Sequence, residues 1–217
     1  MAGEMSLTET PSRTPPRPLR IGDVAPDFTA RTTQGERALG DYRGQWLVFF
    51  SHPADFTPVC TTEFIGMQQA AERFAAMNCA LLGLSVDSLY AHHAWLRAIQ
   101  TGFGVTIGFP VVEDPSMAIG RAFGMIDEQA ESSAAMRCTY FIDPDGVVRA
   151  ITVYPHNVGR SVDEMLRLLA ALQRADDGDV MTPEGWQPGG DLLRAPDPEA
   201  APPADAPDWF CQRIADR

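Results

Sequence analysis

Three residues set at short intervals carry the first hint of chemistry: Pro53, Thr57 and Cys60, in the run Phe49-Phe50-Ser51-His52-Pro53-Ala54-Asp55-Phe56-Thr57-Pro58-Val59-Cys60-Thr61-Thr62-Glu63. Proline is best tolerated in the first turn of a helix, where its missing N–H leaves no bond unmade. With Pro58 at the first helical position, Thr57 is the N-cap and Cys60 the third residue of the turn. A thiol there sits beside unpaired backbone N–H groups and the positive end of the helix dipole, both of which favour its anion. The chemistry such a thiolate offers is nucleophilic attack. Position alone also admits a second reading, a buried apolar thiol, which is how most free cysteines serve.

Magnitudes show what else a reactive thiol would need. Lowering a thiol pKa from about 8.5 to about 6 takes about 3.4 kcal/mol, whereas a helix terminus supplies about 0.3–1 kcal/mol and at most about 2. A cation must be brought in from elsewhere in the chain, most simply an arginine, together with hydroxyl or amide donors.

The elements that would position these groups follow from the pattern of apolar residues. Trp46-Leu47-Val48-Phe49-Phe50 is a buried strand leading into the Cys60 helix, which runs through Phe64, Met67, Ala71, Phe74 and Met77. Ala80 to Val86 is the next strand, so strand, helix and strand form a right-handed βαβ unit with parallel strands. Cys79, at its start, is a core residue. Asp87-Ser88 caps a helix bearing Leu89, His92, His93, Trp95, Leu96 and Ile99. Adjacent histidines face different ways, so His92 and His93 make no metal pair. Phe109 to Val112 is a short strand, after which Asp114 and Pro115 provide an N-cap and first-turn proline for a helix ending at Gly124. Arg137 to Ile142, the turn Asp143-Pro144-Asp145-Gly146 and Val147 to Val153 form a β-hairpin. Cys138 alternates away from Arg137 and is packed. Ser161 and Glu164 write a capping box for a helix with Met165, Leu168, Leu169 and Leu172 on its apolar face.

The chain has 217 residues, 45% of them hydrophobic, enough for one substantial core and an appendage. A net charge of −12 argues against a nucleic-acid or anionic-membrane surface. Residues Met1 to Arg20 lack the apolar run of a signal peptide or membrane span, and are expected to be a disordered arm of a cytoplasmic protein. Cys60, Cys79, Cys138 and Cys211 are scattered without a Cys-x-x-Cys pair, so neither a zinc site nor a thioredoxin-type dithiol is written here. From Arg174 onward the texture shifts to Pro, Asp, Gly and Ala, which cannot make a core alone.

The spacing Pro53, Thr57, Cys60 resembles the Pro-x-x-x-Thr-x-x-Cys signature of the peroxiredoxins, and the longer run from Phe50 to Phe64 is similar to the active-site sequence of their one-cysteine subfamily. Ile21 to Phe28, the Phe109-Pro110 segment, Tyr154 to Leu169 and the Thr182-Pro183, Trp186, Pro188-Gly189 stretch extend the resemblance. It implies a thioredoxin-like α/β fold over 21–174, with a central mixed sheet flanked by helices, and a C-terminal extension over 175–217 that acts as a dimerisation arm anchored by Trp186, Trp209 and Phe210. It also implies a thiol-dependent peroxidase for hydrogen peroxide and organic hydroperoxides. By that resemblance Cys60 is the attacking thiolate that passes through sulfenic acid, Thr57 holds thiolate and peroxide, Pro53 shields the pocket and Arg137 is the missing cation. His52, Glu63 and Arg160 are secondary site candidates, and Cys211 is a candidate resolving thiol from a partner subunit. The implied partners are a hydroperoxide, a thioredoxin-like, glutaredoxin-like or small-thiol reductant, and a second copy in a homodimer or a ring of dimers; no metal, flavin or haem is implied. Where some members carry a phospholipase-like serine in Gly-Asp-Ser-Trp-Gly, this chain has Gly44-Gln45-Trp46, so that activity is expected to be absent. The rival of a different class is a redox-controlled chaperone-like assembly or a peroxide sensor using the same cysteine.

Overall fold

The computed structural model describes residues 18–127, 132–195 and 208–216. Most of the expected N-terminal arm therefore lies outside the described residues. A seven-stranded sheet runs in the order β2-β1-β5-β4-β3-β6-β7, comprising β1 (Thr29–Thr32), β2 (Gly35–Ala38), β3 (Trp46–Ser51), β4 (Cys79–Ser85), β5 (Val111–Glu113), β6 (Arg137–Ile142) and β7 (Val148–Tyr154). β3, β4 and β5 are parallel, and β6, β7, β1 and β2 are added antiparallel on the two sides, giving the mixed sheet that the resemblance implies.

β3 is central, and all six of its residues are buried, because both faces of the sheet are covered. Its side chains still alternate. Trp46, Val48 and Phe50 join a core with α1 (Pro58–Gln69), α2 (Ala71–Ala76), α3 (Leu89–Phe103) and α5 (Val162–Arg174). Leu47 and Phe49 join a second core on the opposite face with Ala25, Leu39 and Phe123, the last at the end of α4 (Ala118–Ala122). In the β6–β7 turn, Gly146 takes φ 76° and Asp143 Oδ1 accepts from the amides of Asp145 and Val147, which is the turn chemistry expected of Asp-Pro-Asp-Gly.

Four local expectations change. The helix of Cys60 is interrupted at Ala70, whose φ of −97° and ψ of 1° divide it into α1 and α2. α4 starts at Ala118 and not after Asp114, because the Asp114 carboxylate reaches forward to accept from the Gly120 amide at 2.7 Å, bending 114–117 into a turn. Ser161 caps α5 by accepting from the Glu164 amide, but the Glu164 carboxylate pairs with Arg167, so only half of the capping box forms. The fourth concerns the tail. β8 (Val180–Met181), β9 (Leu192–Arg194) and β10 (Arg213–Ile214) make a small antiparallel sheet, and Trp186 and Leu192 are buried with Ala171 of α5. Trp186 thus packs on its own domain, its indole N–H donating to Gly190 O at 3.1 Å, while Phe210 is exposed. Among the described residues no helix is long and apolar enough to cross a membrane.

Candidate active site

β3 ends at Ser51, and the chain turns through residues 52–57 into α1. Thr57 is the N-cap, with extended φ −99° and ψ 145°, and Pro58 opens the helix. The Thr57 hydroxyl departs from ordinary capping: it donates to Ala54 O at 2.9 Å, within the turn. Its donor is thereby committed, and its oxygen remains an acceptor. Phe56 lies in the left-handed region at φ 56°, a conformation that a bulky residue keeps only when its surroundings impose it.

Cys60, in the first turn of α1, is fully buried. Antiparallel pairing of β3 with β6 sets Phe50 opposite Thr139, which brings the start of β6 beside the end of β3. Arg137, the first residue of β6, is likewise buried, and its Nη1 donates to Cys60 Sγ at 3.3 Å. The same Nη1 donates to Glu63 Oε2 at 2.8 Å, and Nε and Nη2 both donate to His156 O, at 3.0 and 2.7 Å. Glu63 follows Cys60 by three residues and so shares its face of α1. Its carboxylate accepts from Arg160 as well, at Nε (2.9 Å), Nη2 (2.8 Å) and the backbone amide (2.8 Å). Arg160 completes its bonding with Cys138 O and Thr139 Oγ1, and stands over the Phe50 ring.

Burial pushes the Glu63 carboxyl up, but the hydrogen bonds and charge of Arg160, with Arg137 beyond, hold it below its ordinary range. Two guanidiniums, which stay charged, therefore face one carboxylate in a dry setting. One positive charge is left over beside Cys60.

A second polar cluster lies behind the turn. His52 Nε2 meets Asp55 Oδ1 at 2.9 Å, Asp55 Oδ2 meets His92 Nδ1 at 2.8 Å, and His92 Nε2 meets Val112 O at 3.2 Å. Both rings are fully buried, and His52 Nδ1 has no hydrogen-bond partner. Burial lowers the His52 pKa, a shift that its bond to Asp55 only partly opposes. For Asp55 burial acts upward, and the hydrogen bonds from His52 and His92 outweigh it. Ligand atoms of His52, Asp55 and Asp87 lie within 4.8 Å of one another, but Asp55 is already bonded to both rings and Asp87 Oδ2 to Ser85 Oγ and the Asp55 amide. These bonds leave His52 Nδ1 as the ring nitrogen of the cluster without a partner.

Of the residues singled out in the sequence, Cys60, Arg137, Glu63 and Arg160 meet directly, with Thr57 and a buried Pro53 in the adjoining turn. His52 turns toward Asp55 instead. Cys211 is exposed in the turn before β10, and Cys79 and Cys138 are buried in strands, their thiols pushed up by burial, that of Cys79 to about 12. Sequence reasoning passed over Asp55 and His92. One signal was available: His92 falls in phase with Trp95 and Ile99 on the apolar stripe of α3, where a ring with two nitrogens needs polar partners.

The model of the AhpC/TSA family matches residues 21–151. A peroxiredoxin of Methanosarcina mazei is 44% identical over 183 residues, covering 81% of this chain and 84% of that one. A "Peroxiredoxin 2" of Thermoplasma acidophilum is 46% identical over 169 residues, covering 78% and 84%. Among solved structures, the yeast mitochondrial 1-Cys peroxiredoxin, described for thiol resolution through the glutathione and thioredoxin systems, superposes with a TM-score of 0.77 at 38% identity, covering 82% of this chain and 87% of that one. A cysteine-to-serine mutant of peroxiredoxin 6 from Arenicola marina gives 0.76 at 30% identity, covering 88% and 89%.

Proposed function

Because the chain belongs to the AhpC/TSA family and is a peroxiredoxin, a thiol-dependent peroxidase with a thioredoxin-like fold, we propose that Cys60 is its peroxidatic residue and that Arg137, Thr57 and Pro53 complete the site. The observation that carries this is the surplus positive charge at Cys60, delivered by Arg137 Nη1 at 3.3 Å in a buried setting. The Cys60 thiolate attacks the terminal peroxide oxygen, the O–O bond breaks, and the departing alkoxide or hydroxide takes a proton to leave as alcohol or water. Sulfur is oxidised by two electrons to sulfenic acid as the peroxide is reduced. The Thr57 oxygen, its own proton engaged with Ala54 O, accepts from the peroxide hydroxyl. Arg137 makes four hydrogen bonds with its five N–H groups and keeps one for peroxide oxygen. Glu63 and Arg160 hold Arg137 in place, and Pro53 closes the turn side of the pocket.

The substrates are hydroperoxides, hydrogen peroxide and organic hydroperoxides alike, and the reductant is of thioredoxin type. Cys211 acts as resolving thiol: it attacks the sulfenic sulfur, forming an intersubunit disulfide and releasing water, and external thiols then reduce the disulfide. Its exposure supports this role, as does the burial of Cys79 and Cys138. A homodimer is supported by the last part of β7, the edge strand of the sheet, where Val153 is half exposed; its start, at Val148, is already paired with Gly22 and Asp23. The extension over 175–217 serves that dimer through its exposed end, while Trp186 stays with its own domain. A reducing cytoplasm suits four unpaired cysteines.

Cys60→Ser should abolish turnover with thioredoxin-type reductant while the circular dichroism spectrum is unchanged. Retained turnover in that variant would sink the assignment.

A further inference from the structure

We propose that His92 is a positioning residue for the peroxide-binding turn, acting through Asp55. The turn from His52 to Thr57 presents Pro53 and Thr57 to Cys60, yet it belongs to no helix or strand and includes the left-handed Phe56. Something outside the turn must fix it. The His52 amide ties the start of the turn to Leu84 O of β4, and Asp55 ties its middle to two further elements: its amide donates to Asp87 Oδ2 just after β4, at 3.0 Å, and its carboxylate meets His92 Nδ1 from α3 at 2.8 Å.

His92 is itself anchored. Its Nε2 faces Val112 O of β5 at 3.2 Å, so both ring nitrogens are directed at oxygen atoms. Asp55 is then left with Oδ1 for His52, whose Nε2 donates at 2.9 Å. The lowered pKa of His52 fits a neutral ring that carries its one proton on Nε2. The consequence is a fixed path from β5 through α3 to the turn: Val112, His92, Asp55, and from there His52 and Pro53 on one side and Thr57 on the other. Among the described residues no hydrogen bond joins His92 to Cys60 or Arg137. Its influence is therefore on where the peroxide is held, and not on the charge of the sulfur.

That separation gives the test. The inference rests on reading Pro53, Thr57 and Cys60 as the peroxide site, so Thr57→Val is included as a control on that reading. In the full-length protein, the rates of Cys60 with hydrogen peroxide and with iodoacetamide are measured for the parent, His92→Asn, His92→Gln, His92→Phe and Thr57→Val, with alkylation read on the Cys60 peptide by mass spectrometry. Iodoacetamide needs the thiolate but not the turn. His92→Asn keeps an amide N–H where Nδ1 stood, and should retain the peroxide rate within about threefold. His92→Gln and His92→Phe should lose about tenfold or more, since displacing a pre-organised group by about 1 Å costs on the order of 100-fold. Alkylation should stay within about threefold throughout. Parallel loss of both reactions, no loss in His92→Gln, or equal loss in the Asn and Gln variants would overturn the proposal. Should His92→Phe not fold, the Asn and Gln pair decides alone. An unchanged peroxide rate in Thr57→Val would overturn the reading of the turn itself, whereas a slowed Thr57→Val beside an unaffected His92→Gln would overturn only the role of His92.

Discussion

Two buried polar clusters flank the turn that carries Thr57, and they are built from opposite materials. The one touching Cys60 consists of Arg137, Glu63 and Arg160, groups that keep their charge across the physiological pH range. The one behind the turn consists of His52, Asp55 and His92, two imidazoles joined through one carboxylate. The first carries an unbalanced charge and faces sulfur; the second bonds chiefly within itself and faces backbone. The first cluster thus acts on the sulfur, while the second acts on the frame of the turn. Breaking each cluster separately should show this division.

The largest effect is expected at Arg137. Arg137→Met removes the donor to Cys60 and the surplus charge with it, and kcat/KM for hydrogen peroxide should fall by about 10²–10³-fold, the range for losing one preorganised donor to a reacting anion. Iodoacetamide alkylation of Cys60 should fall too. A variant that loses only the peroxide reaction would place Arg137 with the turn and dissolve the contrast.

Glu63→Gln comes next. It leaves two buried guanidiniums without their carboxylate, and removing one partner of a buried ion pair costs about 3–5 kcal/mol, measurable as a lower urea midpoint at unchanged slope. A loss under about 1 kcal/mol would mean that water reaches the cluster.

The third prediction concerns acid. His52, lowered by burial, binds its proton more readily in the unfolded chain, so its contribution to stability is complete above about pH 6.5 and is lost as pH falls toward its folded pKa. Asp55 and Glu63, both lowered, behave alike below about pH 4. Thermal melts should decline in two stages, and His52→Phe should remove the first. A single decline below about pH 4 in the parent would assign the sensitivity to the carboxylates alone. The smallest effect is a silence: Cys79, its thiol pushed up to about 12 by burial, should resist iodoacetamide in the folded protein at pH 8, as followed on its own peptide.

The parts of this design that lie close together in the chain were legible from residue order. Pro58 fixes where α1 begins, and that places Cys60 in the first turn and Glu63 on the same face. Arg137 could be read only with help from the family resemblance, because its meeting with Cys60 depends on the pairing of β3 with β6. The link between Asp55 and His92 spans 37 positions and exists only once α3 has packed on the sheet. No spacing rule reaches that far. The small sheet of the tail escaped notice for another reason: β8 and β10 are two residues each, too short to show alternation, and the apolar surface that they cover belongs to α5.

The fastening of that tail sets the terms on which Cys211 can act. β10 is held to β9 through two residue pairs, and to the end of α5 by the Arg174–Asp216 ion pair at 2.8 Å. A half-exposed pair of this kind contributes on the order of 1 kcal/mol, and Ile214 packs only on the small cluster of Ala171, Trp186 and Leu192, so the strand can leave its place without disturbing either core of the main sheet. In the proposed dimer the released thiol would be a tethered reactant, present near a neighbouring sulfenic acid at an effective concentration on the order of millimolar, whatever the concentration of the protein. Disulfide formation within a dimer would then be unimolecular, its rate unchanged by dilution until the subunits part.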